Sequence, residues 1–481
     1  MRYIEGTSRT QIILFPETID EYISEDSIVR FVEAYVNSLS MRDLGITYSE
    51  PKDTGRKAYN PSDMLKLYIY GYMRKIRSSR QLESETHRNV ELMWLMKKLQ
   101  PDFKTISDFR KDNLESIKKV CREFTIFCRK LNLIGSDLVA IDGSKFKALN
   151  NKEKCYTKNF MKKELQEIDE KINNYLQAIE NSDKKEKEFS KIKSEELNQV
   201  IENLEKERKE IEEMLKEIET GKVDQVSKTD SDSRMMKTPG SGYQVSYNAQ
   251  IAVDSKHHMI VESEVTNEQN DLKCLSQIAE KSKQILEVDN LKVVCDSGYF
   301  SEKEISDCEK NNIDCYVAIP RKFSNESLGM YGLSEFKFDQ STDTYLCPQN
   351  KEMTYKGTYI KGNRTLRRYE CSDCNKCQFK KQCTGSKGNR YISRSEFEEV
   401  MQRVRERMKA NREILKTRSK TVEHIFGTMK QWLGYGGGFL LKGLKKVNGE
   451  FSLISLVYNM KRAIKIIGMK KLIESLGSNI K

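Results

Sequence analysis

Apolar and polar positions follow two different periods along this chain, and the changes of period mark its parts. Two short apolar runs, Leu138-Val139-Ala140-Ile141 and Val293-Val294-Cys295, each stop at an aspartate with a glycine close behind: Asp142-Gly143 and Asp296-Ser297-Gly298. Runs of this kind bounded by turn residues predict buried strands. Residues 247–254 and 259–265 predict a hairpin turning at Lys256-His257, and 315–319 a further strand. Helical spacing covers 62–72 behind Pro61, then 90–99 and 114–131, so that residues 1–135 are expected to be helical. It returns at 271–286 and 302–311, runs as one long helix over 395–433, and ends with an amphipathic helix over 452–467. Between these, Leu165, Ile168, Ile172, Tyr175 and Ile179, then Leu197, Ile201, Leu204, Ile211, Leu215 and Ile218, recur at steps of three and four. That seam predicts a helical hairpin (coiled-coil) insert over 150–239, turning near 181–187.

The order strand, insert, strand, strand, helix, strand, helix, strand matches an α/β fold with a ribonuclease H-like mixed sheet core. The core comprises 136–149 and 240–320, with 395–481 as helices completing it. In such a core the first and fourth strands are neighbours, which brings Asp142 and Asp296 together. A buried strand end that carries a carboxylate needs a partner, because desolvating the charge is costly. Two such ends point to acids gathered around a metal ion, although either Asp alone is as readily a turn or cap residue. A third acid, Glu423, lies beside the apolar stripe Val422, Ile425, Phe426 and Met429, at the edge of the face turned to the sheet. Lys430, seven residues on, shares its side of the helix.

Charge and cysteine usage refine this picture. The 481 residues carry 84 Lys and Arg against 72 Asp and Glu, a net charge of +12, which favours a polyanionic partner. No apolar run is long enough for a membrane span, so no membrane partner is expected, and the polar N-terminus points to a cytoplasmic protein. Basic residues at the junctions of the N-terminal helices, Arg77 and Arg80 among them, fit a helix-turn-helix-like DNA-binding unit. A helical packing domain with a solvated basic face fits the same spacing. Five of the twelve cysteines fall between Cys347 and Cys383, inside a small Cys-rich insert spanning 321–394. Their spacing reads as a structural zinc site or as a cluster of free thiols. For zinc, Cys347, Cys374, Cys377 and Cys383 are favoured, with Cys371 the spare.

Several motifs, in this order, resemble the DDE transposases of bacterial insertion sequences. Near the N-terminus they are Gly55-Arg56-Lys57-Ala58-Tyr59-Asn60-Pro61, Ile76-Arg77-Ser78-Ser79-Arg80-Gln81-Leu82-Glu83 and Phe103-Lys104-Thr105-Ile106-Ser107-Asp108-Phe109-Arg110. In the core they are Asp142-Gly143-Ser144, Tyr247-Asn248-Ala249-Gln250, Asp296-Ser297-Gly298-Tyr299 and Glu423-x2-Phe426-Gly427-x2-Lys430. The resemblance implies that Asp142, Asp296 and Glu423 are the catalytic acids and hold two Mg²⁺ (or Mn²⁺) ions for in-line displacement at phosphorus. It implies phosphate contacts by Arg418 and Lys430. Its partners would be double-stranded DNA, as terminal inverted repeats and target, and a second copy of the chain. The family often has a tyrosine about a turn before the arginine, where this chain has Leu415. A catalytically silent DNA-binding protein derived from a transposase is the alternative reading.

Overall fold

In the computed structural model, which describes residues 17–50, 57–150, 155–183, 189–220, 225–227, 229–238, 240, 242–320, 329–362, 364–434 and 436–478, the first quarter of the chain is helical. Six helices follow one another: α1 (Ile28–Asn37), α2 (Pro61–Met73), α3 (Ser79–Arg88), α4 (Val90–Leu95), α5 (Phe103–Asp112) and α6 (Leu114–Lys130). Their starts follow from local chemistry. Pro61 takes the first turn of α2 while the Asn60 side chain accepts the Ser62 N–H, and Asp102 caps α5 by accepting from Lys104 and Thr105. These helices do not close a core of their own. A single apolar cluster runs from Val29 and Phe31 through the sheet residues Val139 and Val293 to Leu476.

The chain then enters β1 (Leu138–Lys147) and leaves through β2 (Cys155–Thr157) into α7 (Lys158–Asp183) and α8 (Phe189–Glu219), returning through β3 (Gln225–Ser227). The two helices pack along the expected seam, with Ile168, Ile211 and Ile218 buried and Leu165, Ile172, Leu204 and Leu215 against them. Part of the turn expected at 181–187, and the motif residues Gly55 and Arg56, lie outside the described residues.

Next come β4 (Arg234–Thr238), β5 (Gly242–Asp254), β6 (Ile260–Thr266), α9 (Leu275–Leu286), β7 (Leu291–Cys295), α10 (Glu302–Lys310) and β8 (Ile313–Val317). They complete a mixed α/β core whose sheet runs β4-β5-β1-β7-β8, with β6 also paired to β5. β5 is antiparallel to β1, β4 and β6, whereas β7 is parallel to both β1 and β8.

A second, five-stranded sheet follows, made of β9 (Lys337–Asp339), β10 (Thr344–Leu346), β11 (Glu352–Lys361), β12 (Arg364–Glu370) and, after the one-turn α11 (Lys380–Cys383), β13 (Tyr391–Ser395). It has a small core of its own around Phe336, Tyr345, Met353, Tyr369 and Ile392. The long helix expected over 395–433 is instead β13, then α12 (Glu398–Ala410) and α13 (Ile414–Gly427), ending in one π-helical turn at Thr428–Trp432. The break falls at Asn411, whose backbone leaves the helical region (φ −138°, ψ 72°). It frees α12 to pack on α10 and β8 and α13 to cross β1 and β7. The C-terminal helix also starts earlier than expected. α14 (Leu444–Ile467) packs on β6, α2 and α6, and α15 (Met469–Ser478) turns back onto α1. No described helix is long and apolar enough to cross a membrane.

Candidate catalytic site

The site grows out of strand register. β1 pairs with β7 through Val139↔Val293 and Ala140↔Val294. Carried two residues further, the same offset sets Asp142 level with Asp296. Asp296 follows the last residue of β7, as expected, but Asp142 stands midway along β1, which continues to Lys147 because β5 goes on pairing with it after β7 has ended. The apolar residues before each Asp are fully buried. The strands are therefore anchored, and they hold the carboxylates in place. The Gly143 N–H donates to Asp142 Oδ1 at 3.0 Å. Asp296 caps the short 3₁₀ turn Ser297–Tyr299, its Oδ1 accepting the Gly298 N–H at 2.8 Å.

Glu423 comes from α13, which lies across these strands on Val422, Ile425 and Phe426. Its side chain is 57% exposed and accepts from Ser419 Oγ. Arg418, one turn earlier, joins the helix to the sheet. Its guanidinium lies 3.4 Å from Asp142 Oδ1 and 3.2 Å from Glu423 Oε1. Lys430 does not stay beside Glu423 as a surface pair. The π-helical turn carries it to β1, where Nζ donates to Ser144 Oγ at 2.7 Å and sits 4.8 Å from the centre of the Phe146 ring.

Burial pushes the Asp142 carboxyl up to about 6; Arg418 opposes the shift, while Asp296 and Asp271 add to it. The donor set suits a divalent cation. Three carboxylates are hard oxygen ligands of the kind magnesium and manganese take, and a guanidinium already stands between two of them as a substitute positive charge. As placed, no group of three or more His, Cys, Asp or Glu among the described residues is close enough to hold an ion.

Sequence reading missed a polar cluster beneath the acids. Asn248 and Gln250, inward-facing on β5, are buried and both donate to Asp271 Oδ1 at 2.7 Å. Tyr299 donates to Gln250 Oε1. Lys145 Nζ lies 3.7 Å from Asp271 Oδ1. The available signal was two amides in alternate positions of the otherwise apolar stretch 247–253.

Two expectations about cations and thiols change. Arg77 is not a surface group. It is 11% exposed, donates to the Gly438 carbonyl at 3.1 Å and lies 3.8 Å from the fully buried Glu450, a structural role that an isolated basic run does not reveal. Arg80 is exposed, its guanidinium 5.1 Å from the centre of the Phe103 ring. Cys347, Cys371, Cys374, Cys377 and Cys383 line one cavity of about 30 Å³ as free thiols. Cys371, expected to be the spare, is the most deeply buried of the five, in the core of the outer sheet. Burial pushes the Cys371 and Cys383 thiols up, and the structure gives the zinc expectation no support.

Comparison with known families bears on both ends of the chain. Residues 346–464 match a transposase DDE domain, and residues 17–112 match a transposase domain (DUF772). The first stretch contains Arg418, Glu423 and Lys430. No curated protein matches in sequence. One solved structure, a cryo-EM structure of the piggyBac transposase synaptic complex with hairpin DNA, is similar over 95% of this chain and 78% of its own. At 10% identity and a TM-score of 0.28 that likeness carries no weight by itself. One transposase-domain match over residues 17–112 and one DDE-domain match over residues 346–464, around Glu423, together support a DDE transposase of an insertion sequence.

Proposed function

We propose that this transposase binds the terminal inverted repeats of its element and cleaves and rejoins DNA strands through Asp142, Asp296 and Glu423. The observation that carries the reading is the convergence itself. Two aspartates stand level on adjacent parallel strands, and one arginine ties the first of them to a glutamate on the crossing helix. The strand order β6-β5-β1-β7-β8, three antiparallel then two parallel, supports reading the sheet as a ribonuclease H-like core.

Asp142, Asp296 and Glu423 would hold two Mg²⁺ ions, which when bound supply an activated oxygen nucleophile and a charge sink for the leaving oxygen. The chain's own groups do the rest. Asp142 and Asp296 fix the position of the scissile phosphate relative to the sheet. Arg418 passes from the carboxylates to the phosphate as the acids fill with cation, because a guanidinium matches either oxyanion. Lys430, held by Ser144, adds a second positive charge on the same side. In cleavage a water oxygen bonds to phosphorus and the 3′-oxygen leaves with a proton. In joining, the freed 3′-hydroxyl oxygen bonds to a phosphorus of the target strand and gives up its proton, and the target's own 3′-oxygen leaves and takes one up. Arg80 and the α2–α5 helices supply DNA contacts, and two copies of the chain pair the two ends.

The test is a duplex ending in the element's own terminal repeat, incubated with protein and Mg²⁺ beside an Asp296→Ala control. Specific nicks or hairpins that vanish in the control support the reading. Binding without cleavage, unchanged by the substitution, makes the chain a silent DNA-binding relic.

A further inference from the structure

A single carboxylate behind the acids joins both aspartate-bearing strands. Asp271 lies in the loop between β6 and α9. Its Oδ1 accepts one amide N–H from Asn248 and one from Gln250, each at 2.7 Å. These two residues are the cross-strand partners of Lys145 and Gly143, the second of which follows Asp142 in β1. The other end of the Gln250 amide, Oε1, takes the hydroxyl of Tyr299, in the turn that Asp296 caps. Tyr299 is fully buried. Asp271 therefore orients an amide that stands on the strand paired to β1 and holds the turn of Asp296.

The glycines confirm how closely the loop approaches. A Cβ at Gly143 would come within 2.8 Å of Asp271 Oδ1. One at Gly298 would meet Asp296 Oδ1 at 2.9 Å and Asp271 Oδ2 at 3.6 Å. Gly143 is thus needed to let Asp271 and Gln250 sit against β1, whereas at Gly298 the tight contact is with Asp296 itself and Asp271 lies at ordinary contact distance. Lys145, mostly buried, lies close to Asp271 and balances part of its charge; it has no hydrogen-bond partner of its own.

We propose that Asp271 is a positioning residue that fixes the spacing of Asp142 and Asp296, and through that spacing their affinity for the divalent cation. The inference rests on the reading of the acids as a cation site. Asp271 acts through Gln250, Tyr299 and its close approach to β1 at Gly143, not on DNA. An outer group that orients ligands in this way typically contributes 10- to 100-fold in metal affinity.

The experiment is Mn²⁺ titration of the full chain without DNA, followed by electron paramagnetic resonance, for the parent and for Asp296→Asn, Asp271→Ala, Asp271→Asn and Tyr299→Phe. Asp271→Ala is expected to weaken Mn²⁺ about tenfold while leaving affinity for the terminal-repeat duplex unchanged. Asp271→Asn, which still offers an Oδ1 acceptor to the two amides, should recover most of that loss. Tyr299→Phe cuts only the far link and should weaken Mn²⁺ about threefold, and it carries the test if Asp271→Ala fails to fold. Parent-like Mn²⁺ affinity in folded Asp271→Ala, or in Tyr299→Phe, overturns the inference. If Asp296→Asn abolishes binding while Asp271→Ala does not alter it, only this inference falls. A parent that binds no Mn²⁺ overturns the cation site and this inference with it.

Discussion

In the central sheet the candidate side chains are carboxylates on two adjacent strands, each given polar partners: Arg418 and a backbone N–H for Asp142, a capped turn for Asp296. In the outer sheet they are thiols in loops around a cavity with room for about one water molecule. The difference follows from charge. A carboxylate taken out of water has to be matched by positive charge or hydrogen bonds, so the central sheet surrounds its acids with an engineered polar frame. A neutral thiol packs like a small apolar group, so the outer sheet needs no such frame. Function concentrates where the charges had to be accommodated.

That contrast breaks first on activity. Asp142→Ala or Asp296→Ala should lower terminal-repeat cleavage by at least about 1,000-fold, since the groups organise transition-state charge, while the chain still folds. Cys374→Ser with Cys377→Ser should leave cleavage within about threefold. Equal losses from both pairs, read on a denaturing gel, would erase the distinction between the two sheets.

The second break is in stability. Glu450 is fully buried, accepts from the Leu440 and Leu441 N–H groups and faces Arg77. Glu450→Ala leaves that arginine unmatched and should cost about 3–5 kcal/mol, seen as a lowered denaturant midpoint. The outer sheet's Arg367–Asp343 pair is about two-fifths exposed on both sides. Asp343→Asn should cost under about 1 kcal/mol.

A pH experiment sharpens the comparison further. The Asp142 carboxyl is raised from 3.8 to about 6, so the folded chain holds its proton more tightly than the unfolded chain. Stability from this group is therefore full below pH 4, falls as pH rises toward 6, and is lost above it. Without divalent cation, Asp142→Asn should raise stability at pH 7.5 by about 2–3 kcal/mol. Mg²⁺ should raise the melting temperature of the parent and leave that of the variant nearly unchanged, measured by calorimetry. The smallest effect is expected at Arg80. Its exposed guanidinium should contribute about one unit to the salt dependence of DNA binding, and Arg80→Gln should remove that unit without altering the fold.

Much of this arrangement is legible in the residues. Apolar runs that stop at Asp142 and Asp296 announce both strands, and the second also announces its end; β1 instead runs on to Lys147, because its polar second half is held by pairing with β5, a partner distant in the chain. The seam of Ile168, Ile211 and Ile218 announces the hairpin. What is not legible depends on partners distant in the chain. Arg77 sits in a basic run that reads as surface, and only the arrival of Glu450, from more than three hundred residues away, buries it. The break at Asn411 carries no glycine or proline, and packing of α12 and α13 on different strands imposes it. Asp271 looks like an ordinary loop residue until β5 places two amides against it.

The hairpin of α7 and α8 leaves and re-enters the core through one short antiparallel ladder, Cys155↔Ser227 to Thr157↔Gln225, and has a core separate from the main one. It is in effect a telescoping boom on a fixed mount. Adding or deleting seven residues on each helix keeps the same stripe facing inward and moves the tip by about 10 Å, without disturbing the sheet that holds the acids. A lineage can thus retune its reach independently of its chemistry.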